Sequence, residues 1–355
     1  MTSGDPANSD SEYALQRLVA LSNYDISTPV IAIVDTSFLR TGLHAHLSSG
    51  QAPRSLVAMQ SESVRAFMEG ETLREMFRKI PEFAKQLDVS ELKLKELFVD
   101  EWMPSIKVVE LPTYLRELDE RSLTVHQRDK DDFAAASLAA LLSPCILLTH
   151  DLDFKAPGVN HREQGLFAIC LIEDVNDGDA EVRAVAMIPA APLFALGVGT
   201  KHAYDRFGPI ALGVAGLLAA GGVLLYFKQP VERRESIKNG MGKVLRALVE
   251  MYGEAAAVAE HARRELRKNL VPPSTNPPPV AAILRALATT QTSLSAQQLH
   301  DELESTYSFD VCELRAYLHG NKETIVFEER RGGFQLGIPY HLWLGRLRQH
   351  GNVSE

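Results

Sequence analysis

Two short apolar runs end in aspartates. Residues 30–34 (VIAIV) lead directly into Asp35, Thr36 and Ser37, and residues 145–148 (CILL) lead into Thr149, His150, Asp151, Leu152 and Asp153. A third acidic point, Asp131 and Asp132, opens the small-residue stretch DDFAAASLAALL. Carboxylates fixed close together on rigid elements are what a hard divalent cation requires. Without a cation they repel one another and their pKa values rise. A bound Mg²⁺ or Mn²⁺ would relieve that repulsion and support attack of an activated water on a phosphodiester.

The runs that deliver these acids are too short for helices, and their polar punctuation marks them as buried parallel strands. In an open α/β sheet, ligands collect at the carboxyl ends of the strands, where Asp35 and Asp151 lie. Residues 55–59 read as a further strand, and 61–100 as two or three helices broken near Pro81. Residues 106–111 read as a strand, 128–142 as an acid-bearing helix and 165–172 as the last strand. This alternation predicts a parallel sheet.

The order VDTSFL, then DDFAAASLAALL, then LLTHDLDF resembles the PIN-domain nuclease family, which includes the VapC-type toxin ribonucleases. The resemblance spans about residues 29–172. It implies an α/β/α sandwich with a five-stranded parallel sheet, and a site in which three or four acids bind Mg²⁺ or Mn²⁺ to hydrolyse RNA. Carried over by position, Asp35 matches the first acid, Asp132 the third and Asp151 the fourth. A one-residue shift puts Asp131 in place of Asp132. The family's glutamate follows the second strand. Glu69 is preferred by its distance from that strand, with Glu71 and Glu75 as alternatives. The pattern TLREM around Glu75 better copies the apolar flanks of the family residue. Thr36, Ser37 and Thr149 would orient carboxylates or bind phosphate, and Asp153 would assist or cap a turn.

Beyond this region the chain changes character. Its 355 residues imply two or three domains. Thirty-seven basic against 46 acidic side chains give a net charge of −9, so RNA contacts must be local rather than drawn by a global field. Cys145, Cys170 and Cys312 are scattered without metal-ligand spacing, which fits a reducing compartment. Residues 1–28 form a polar extension containing a short amphipathic helix at 13–21, with no cleavable signal. His44 and His46 point to different helix faces and read as surface histidines.

Residues 209–227 (PIALGVAGLLAAGGVLLYF) carry no charge and are long enough to cross a bilayer. Residues 184–200 are also uncharged but interrupted by prolines. Arg233, Arg234, Lys238, Lys243 and Arg246 follow, which the positive-inside rule places in the cytosol. A hairpin of both runs within 184–227 keeps the 29–181 nuclease domain and the C-terminal part in the cytoplasm, at the cell inner membrane. A single span would leave the nuclease outside.

Residues 231–269 show apolar spacings of three and four, suited to a long amphipathic helix and self-association into a homo-oligomer. The Pro-rich linker 270–279 ends it. In 280–340 the order helix, helix, helix, hairpin resembles a winged helix, with a capping box at Ser295 and Gln298. Its third helix offers Arg315 beside Glu313, so a protein partner is favoured over DNA there. Residues 341–355 read as a tail. The resulting expectation is a membrane-anchored, metal-dependent ribonuclease. The competing readings are a catalytically inactive PIN scaffold recruiting partners at the membrane, and a membrane-bound winged-helix DNA regulator.

Overall fold

The computed structural model describes residues 29–60, 64–151, 153–154 and 257–349, the last range without 259, 275–276, 291, 304–306, 308–309, 323–324 and 329–332. The N-terminal extension, the strand expected at 165–172, both apolar runs within 184–227 and most of the 231–269 helix lie outside these residues. The chain divides into two compact units, one of residues 1–170 with 266–355 and one of 171–265. In the second unit, residues 257–258 and 260–265 are helical. Among the described residues, no helix is long and apolar enough to cross a membrane.

The first unit is built on a five-stranded sheet. In chain order its opening part runs β1 (Val30–Val34), α1 (Thr36–Ser49), α2 (Arg54–Gln60), β2 (Val64–Glu69), α3 (Gly70–Gln86), α4 (Glu91–Glu96) and β3 (Ile106–Val109). It continues with α5 (Thr113–Arg116), α6 (Glu120–Arg128), α7 (Phe133–Leu142) and β4 (Ile146–Leu148). After residue 266 come α8 (Pro279–Thr289), α9 (Ala296–Leu303), α10 (Val311–Gly320), the hairpin β5 (Val326–Glu328) and β6 (Phe334–Leu336), β7 (Ile338–Pro339) and α11 (Tyr340–Gln349).

The sheet order is β4-β1-β2-β3-β7. The first four strands are parallel, with Ala32 beside Ala66 and Ile146, and Ala66 beside Ile106. The fifth described strand is 338–339, which runs antiparallel to β3, pairing Val108 with Ile338. Pro339 fits because an edge strand leaves one row of amides unused.

Three sequence boundaries move. Residues 55–59 are helical, not a strand: Ser55, Leu56, Ala58 and Met59 are buried while Val57 is 50% exposed, a helical rather than alternating pattern. The second strand is instead 64–69, so the helix that follows begins at Gly70. Pro81 does not break α3, because it lies on the exposed face where water can satisfy the carbonyl it leaves unpaired. The helix expected over 128–142 is two helices, and Asp129 to Asp132 form the turn between them.

Helix α7 explains how the two ends of the chain meet. Ala134 to Leu142 are all buried. A helix apolar on every side needs cover on every side. One side packs on β1 and β2, and another is covered by α8. Ile283, Leu284 and Leu287 of α8 therefore share one hydrophobic core with Ile31, Ile33, Leu138 and Leu147. Polar contacts fix the join. Arg285 donates to the carbonyls of Leu142 (2.6 Å) and Pro144 (2.7 Å), Arg65 to that of Ala288 (3.1 Å) and Arg121 to that of Pro272 (2.7 Å). The amide of Val271 bonds the carbonyl of Cys145 at 2.7 Å beside β4. Segments after 266 thus pair at both margins of the described sheet, which shields edges that would otherwise recruit foreign strands.

The C-terminal elements keep the order three helices then a hairpin. Ser295 and Gln298 exchange the two bonds of a capping box, at 2.9 and 3.2 Å. The likeness to a winged helix rests on that order alone. On α10, Cys312, Glu313, Arg315 and His319 are exposed, so its open face carries one arginine against one glutamate.

Candidate metal centre

Asp35 follows β1 and caps α1, accepting from the Ser37 amide at 3.2 Å. The Ser37 hydroxyl (2.6 Å) and the Thr149 hydroxyl (2.8 Å) also donate to its Oδ2. All three donors converge on one oxygen, so the other has no described donor in the protein. The amide of Asp35 bonds the Leu148 carbonyl at 3.1 Å, which ties the ends of β1 and β4. From there the loop is ordered by a chain of bonds. The His150 amide donates to Ser37 Oγ (2.9 Å), the Asp151 amide to Thr149 Oγ1 (3.0 Å) and the Asp153 amide to Asp151 Oδ1 (2.9 Å). The His150 ring stacks on Phe38 at 5.9 Å. Thr36, Ser37 and Thr149 therefore aim carboxylates rather than stand free.

Glu75 enters from α3. Thr36 Oγ1 donates to its Oε2 at 3.1 Å, and Lys79, one turn on, pairs with its Oε1. It is 8% exposed. Burial raises its carboxyl above the usual range, the charge of Asp35 pushes the same way, and Lys79 and Thr36 pull against them.

Asp132 sits in the turn before α7, 8% exposed, and its buried Oδ2 has no hydrogen-bond partner. Burial pushes its carboxyl up to about 8, and the charges of Asp35, Asp151, Asp129 and Glu75 add to this in that order. Carboxylate oxygens of Asp129, Asp132 and Asp153 all lie within 4.8 Å of one another. Asp131, its neighbour, is exposed and pairs with Arg78 at 3.3 Å.

Glu69, preferred from sequence for the family's glutamate, is bound up elsewhere in the fold. It ends β2 wholly buried, where Oε1 accepts from the Leu111 amide (3.0 Å) and Arg116 (2.8 Å) and Oε2 from the Glu71 amide (2.5 Å). Its oxygens are taken by the fold. Burial pushes it up to about 7 against the pull of Arg116 and both amides, with the charge of Glu110 adding to the rise. Glu71 is half-exposed and pairs with Arg74 at 3.2 Å. Of the three glutamates weighed from sequence, Glu75 feels the charge of Asp35 and acts on Asp132. Asp129 escaped the sequence reading. Asp129 lies three residues before Asp132, and Lys79 four after Glu75, an ordinary ion-pair spacing on a helix.

A PIN-domain family model matches residues 40–170. The match supports a PIN-domain nuclease for this part of the chain, and a nuclease-type hydrolase as its coarse activity. The mostly parallel sheet fits a PIN-like fold. Glu75, Asp132 and Asp151 fall inside the matched interval, and Asp35 lies five residues before it. No curated protein and no solved structure gives a significant match to the chain.

The residues of the PIN region fit a divalent cation. The donors are hard oxygens suited to Mg²⁺ or Mn²⁺, four acids crowd Asp132, and one buried carboxylate oxygen lacks any partner. Asp132, Asp129 and Asp153 are the described acids whose ligand oxygens already lie within 4.8 Å of one another; Asp35, Glu75 and Asp151 act on Asp132 electrostatically and are the further candidate ligands.

Proposed function

We propose that this chain is a divalent-metal-dependent ribonuclease, tethered to the cell inner membrane by residues 184–227 with its nuclease in the cytoplasm. The carrying observation is the buried, unpartnered oxygen of Asp132 among Asp35, Glu75 and Asp151. A bound Mg²⁺ or Mn²⁺ would activate water and neutralise charge on a phosphodiester. Asp35 is held by Ser37 and Thr149, and Glu75 by Thr36, so two carboxylates stand fixed before an ion arrives. Such pre-positioning lowers the cost of assembling the site. Lys79, paired with Glu75, is placed to meet phosphate when a cation takes over the glutamate. RNA as substrate follows from the resemblance to the toxin ribonucleases, and the membrane tether from the uncharged run 209–227 and the basic cluster after it.

The test uses the full chain, because the segment after 266 shares the core of the nuclease region. Labelled single-stranded RNA is incubated with the detergent-purified protein and Mn²⁺ or EDTA, beside Asp35→Asn, Asp132→Asn and Asp151→Asn. Cutting that needs Mn²⁺ and is lost in each folded variant is the expected result. Absence of cutting by folded wild type would replace this reading with a scaffold. Cutting of DNA but not RNA would correct the substrate.

A further inference from the structure

The C-terminal residues expected to form a tail instead form α11, and this helix touches the element that carries Glu75. Trp343, 2% exposed, donates its Nε1–H to Glu110 Oε1 at 2.6 Å. Glu110 directly follows β3, and both its oxygens accept from Arg74 Nη2, at 2.6 and 2.8 Å. The Arg74 guanidinium lies 5.8 Å from the Trp343 ring. Tyr340 stacks on Phe77 at 6.1 Å. Residues 74 and 77 share one face of α3, and Glu75 lies about 100° round the same helix, toward Thr36.

We propose that Trp343, through Glu110 and Arg74, is a positioning residue for Glu75, so that the C-terminal helix sets the cation affinity of the acidic centre. The inference rests on the nuclease reading of that centre. Helix α3 is held from two sides. Glu110 presses on its first turn, where a Cβ at Gly70 would meet the Glu110 carboxyl at 2.5 Å, and Thr36 grips Glu75 from β1's end.

The leverage follows from geometry. At a radius of about 6 Å, a rotation of α3 by about 20° moves the Glu75 carboxylate by about 2 Å. Coordination tolerates about 0.5 Å. Trp343 supplies a directional, buried bond to the carboxylate that holds Arg74, so its loss frees that rotation without emptying the core.

The experiment measures Mn²⁺ binding to the full chain by electron paramagnetic resonance of free Mn²⁺. The variants are Trp343→Phe, which keeps a ring but removes the donor, Glu110→Gln, which weakens the hold on Arg74, and Leu342→Ser on the exposed side of the same helix. Metal-free melting and circular dichroism are recorded alongside. Trp343→Phe and Glu110→Gln are expected to raise the Mn²⁺ Kd by about three- to tenfold, a range below that of groups bonded directly to ligands. Cleavage at saturating Mn²⁺ should return to the wild-type rate, with Leu342→Ser unchanged throughout. Wild-type Mn²⁺ affinity in folded Trp343→Phe and Glu110→Gln overturns this inference alone. Absence of Mn²⁺ binding by wild type overturns the nuclease reading, and this inference with it.

Discussion

Replacing Asp132 with asparagine should stabilise the metal-free protein while removing its response to metal. In the folded chain the Asp132 carboxyl is pushed up to about 8 from an ordinary 3.8, by burial first and then by Asp35, Asp151, Asp129 and Glu75. A raised acid holds its proton more tightly when folded than when unfolded. Stability therefore falls as pH climbs from about 4 toward 8, and levels off above. At pH 7 the interval above 3.8, at about 1.4 kcal/mol per unit, comes to about 4 kcal/mol; screening by water at the site brings the measurable penalty to about 2–4 kcal/mol. Asparagine cannot ionise and escapes that penalty. It sacrifices no helix cap either, because the Asp132 side chain makes no capping bond to α7.

The assay is denaturant unfolding of wild type and Asp132→Asn at pH 5 and pH 7, with EDTA or Mn²⁺. With EDTA the variant should gain most at pH 7 and little at pH 5. With Mn²⁺ the wild type should gain stability as RT ln(1 + [Mn²⁺]/Kd), and the variant should not. Because the bound form needs the ionised carboxylate, wild-type Mn²⁺ affinity should rise by about tenfold per pH unit below 8. A variant destabilised at pH 7 in EDTA, or one that keeps the Mn²⁺ gain, would refute the reasoning.

Arg116→Met should lower stability by about 3–5 kcal/mol, since it leaves the wholly buried Glu69 without its charge partner; urea unfolding at pH 8, above the Glu69 value of about 7, measures this. The loss should shrink at pH 5, where Glu69 is protonated. Gly70→Ala should cost about 1–3 kcal/mol, because its Cβ would lie 2.5 Å from a Glu110 carboxyl already held by Arg74 and Trp343; thermal melting checks it. Ser37→Ala combined with Thr149→Val removes two donors from Asp35 Oδ2 and should weaken Mn²⁺ binding about tenfold with little change in secondary structure.

Strands β1 and β4 were legible because an uninterrupted apolar run ending in a polar cluster has few other homes, and Asp35 and Asp151 follow their carboxyl ends as read. The sequence preference for Glu69 has a local cause. SLVAM at 55–59 is a short apolar run that periodicity assigns equally to strand or helix. Reading it as the second strand moves the following helix forward and makes Glu69 a helical residue. The structure puts the strand at 64–69, which turns Glu69 into the buried end of β2 and leaves Glu75 as the buried acid of α3. The shared core was harder to see. FAAASLAALL announces a helix covered on all sides, but nothing local says that its cover lies at 279–289, beyond a hundred intervening residues. A two-residue strand such as Ile338–Pro339 carries no periodic signal at all.

The central claim is that Asp35, Glu75, Asp132 and Asp151 form the cation centre and that Glu69 belongs to the scaffold. Mn²⁺ titration of Glu75→Gln beside Glu69→Gln tests it most directly, in full-length protein whose folding is verified. The account predicts at least about tenfold weaker binding for Glu75→Gln and near wild-type binding for folded Glu69→Gln. Intact binding in Glu75→Gln with loss in Glu69→Gln would contradict it.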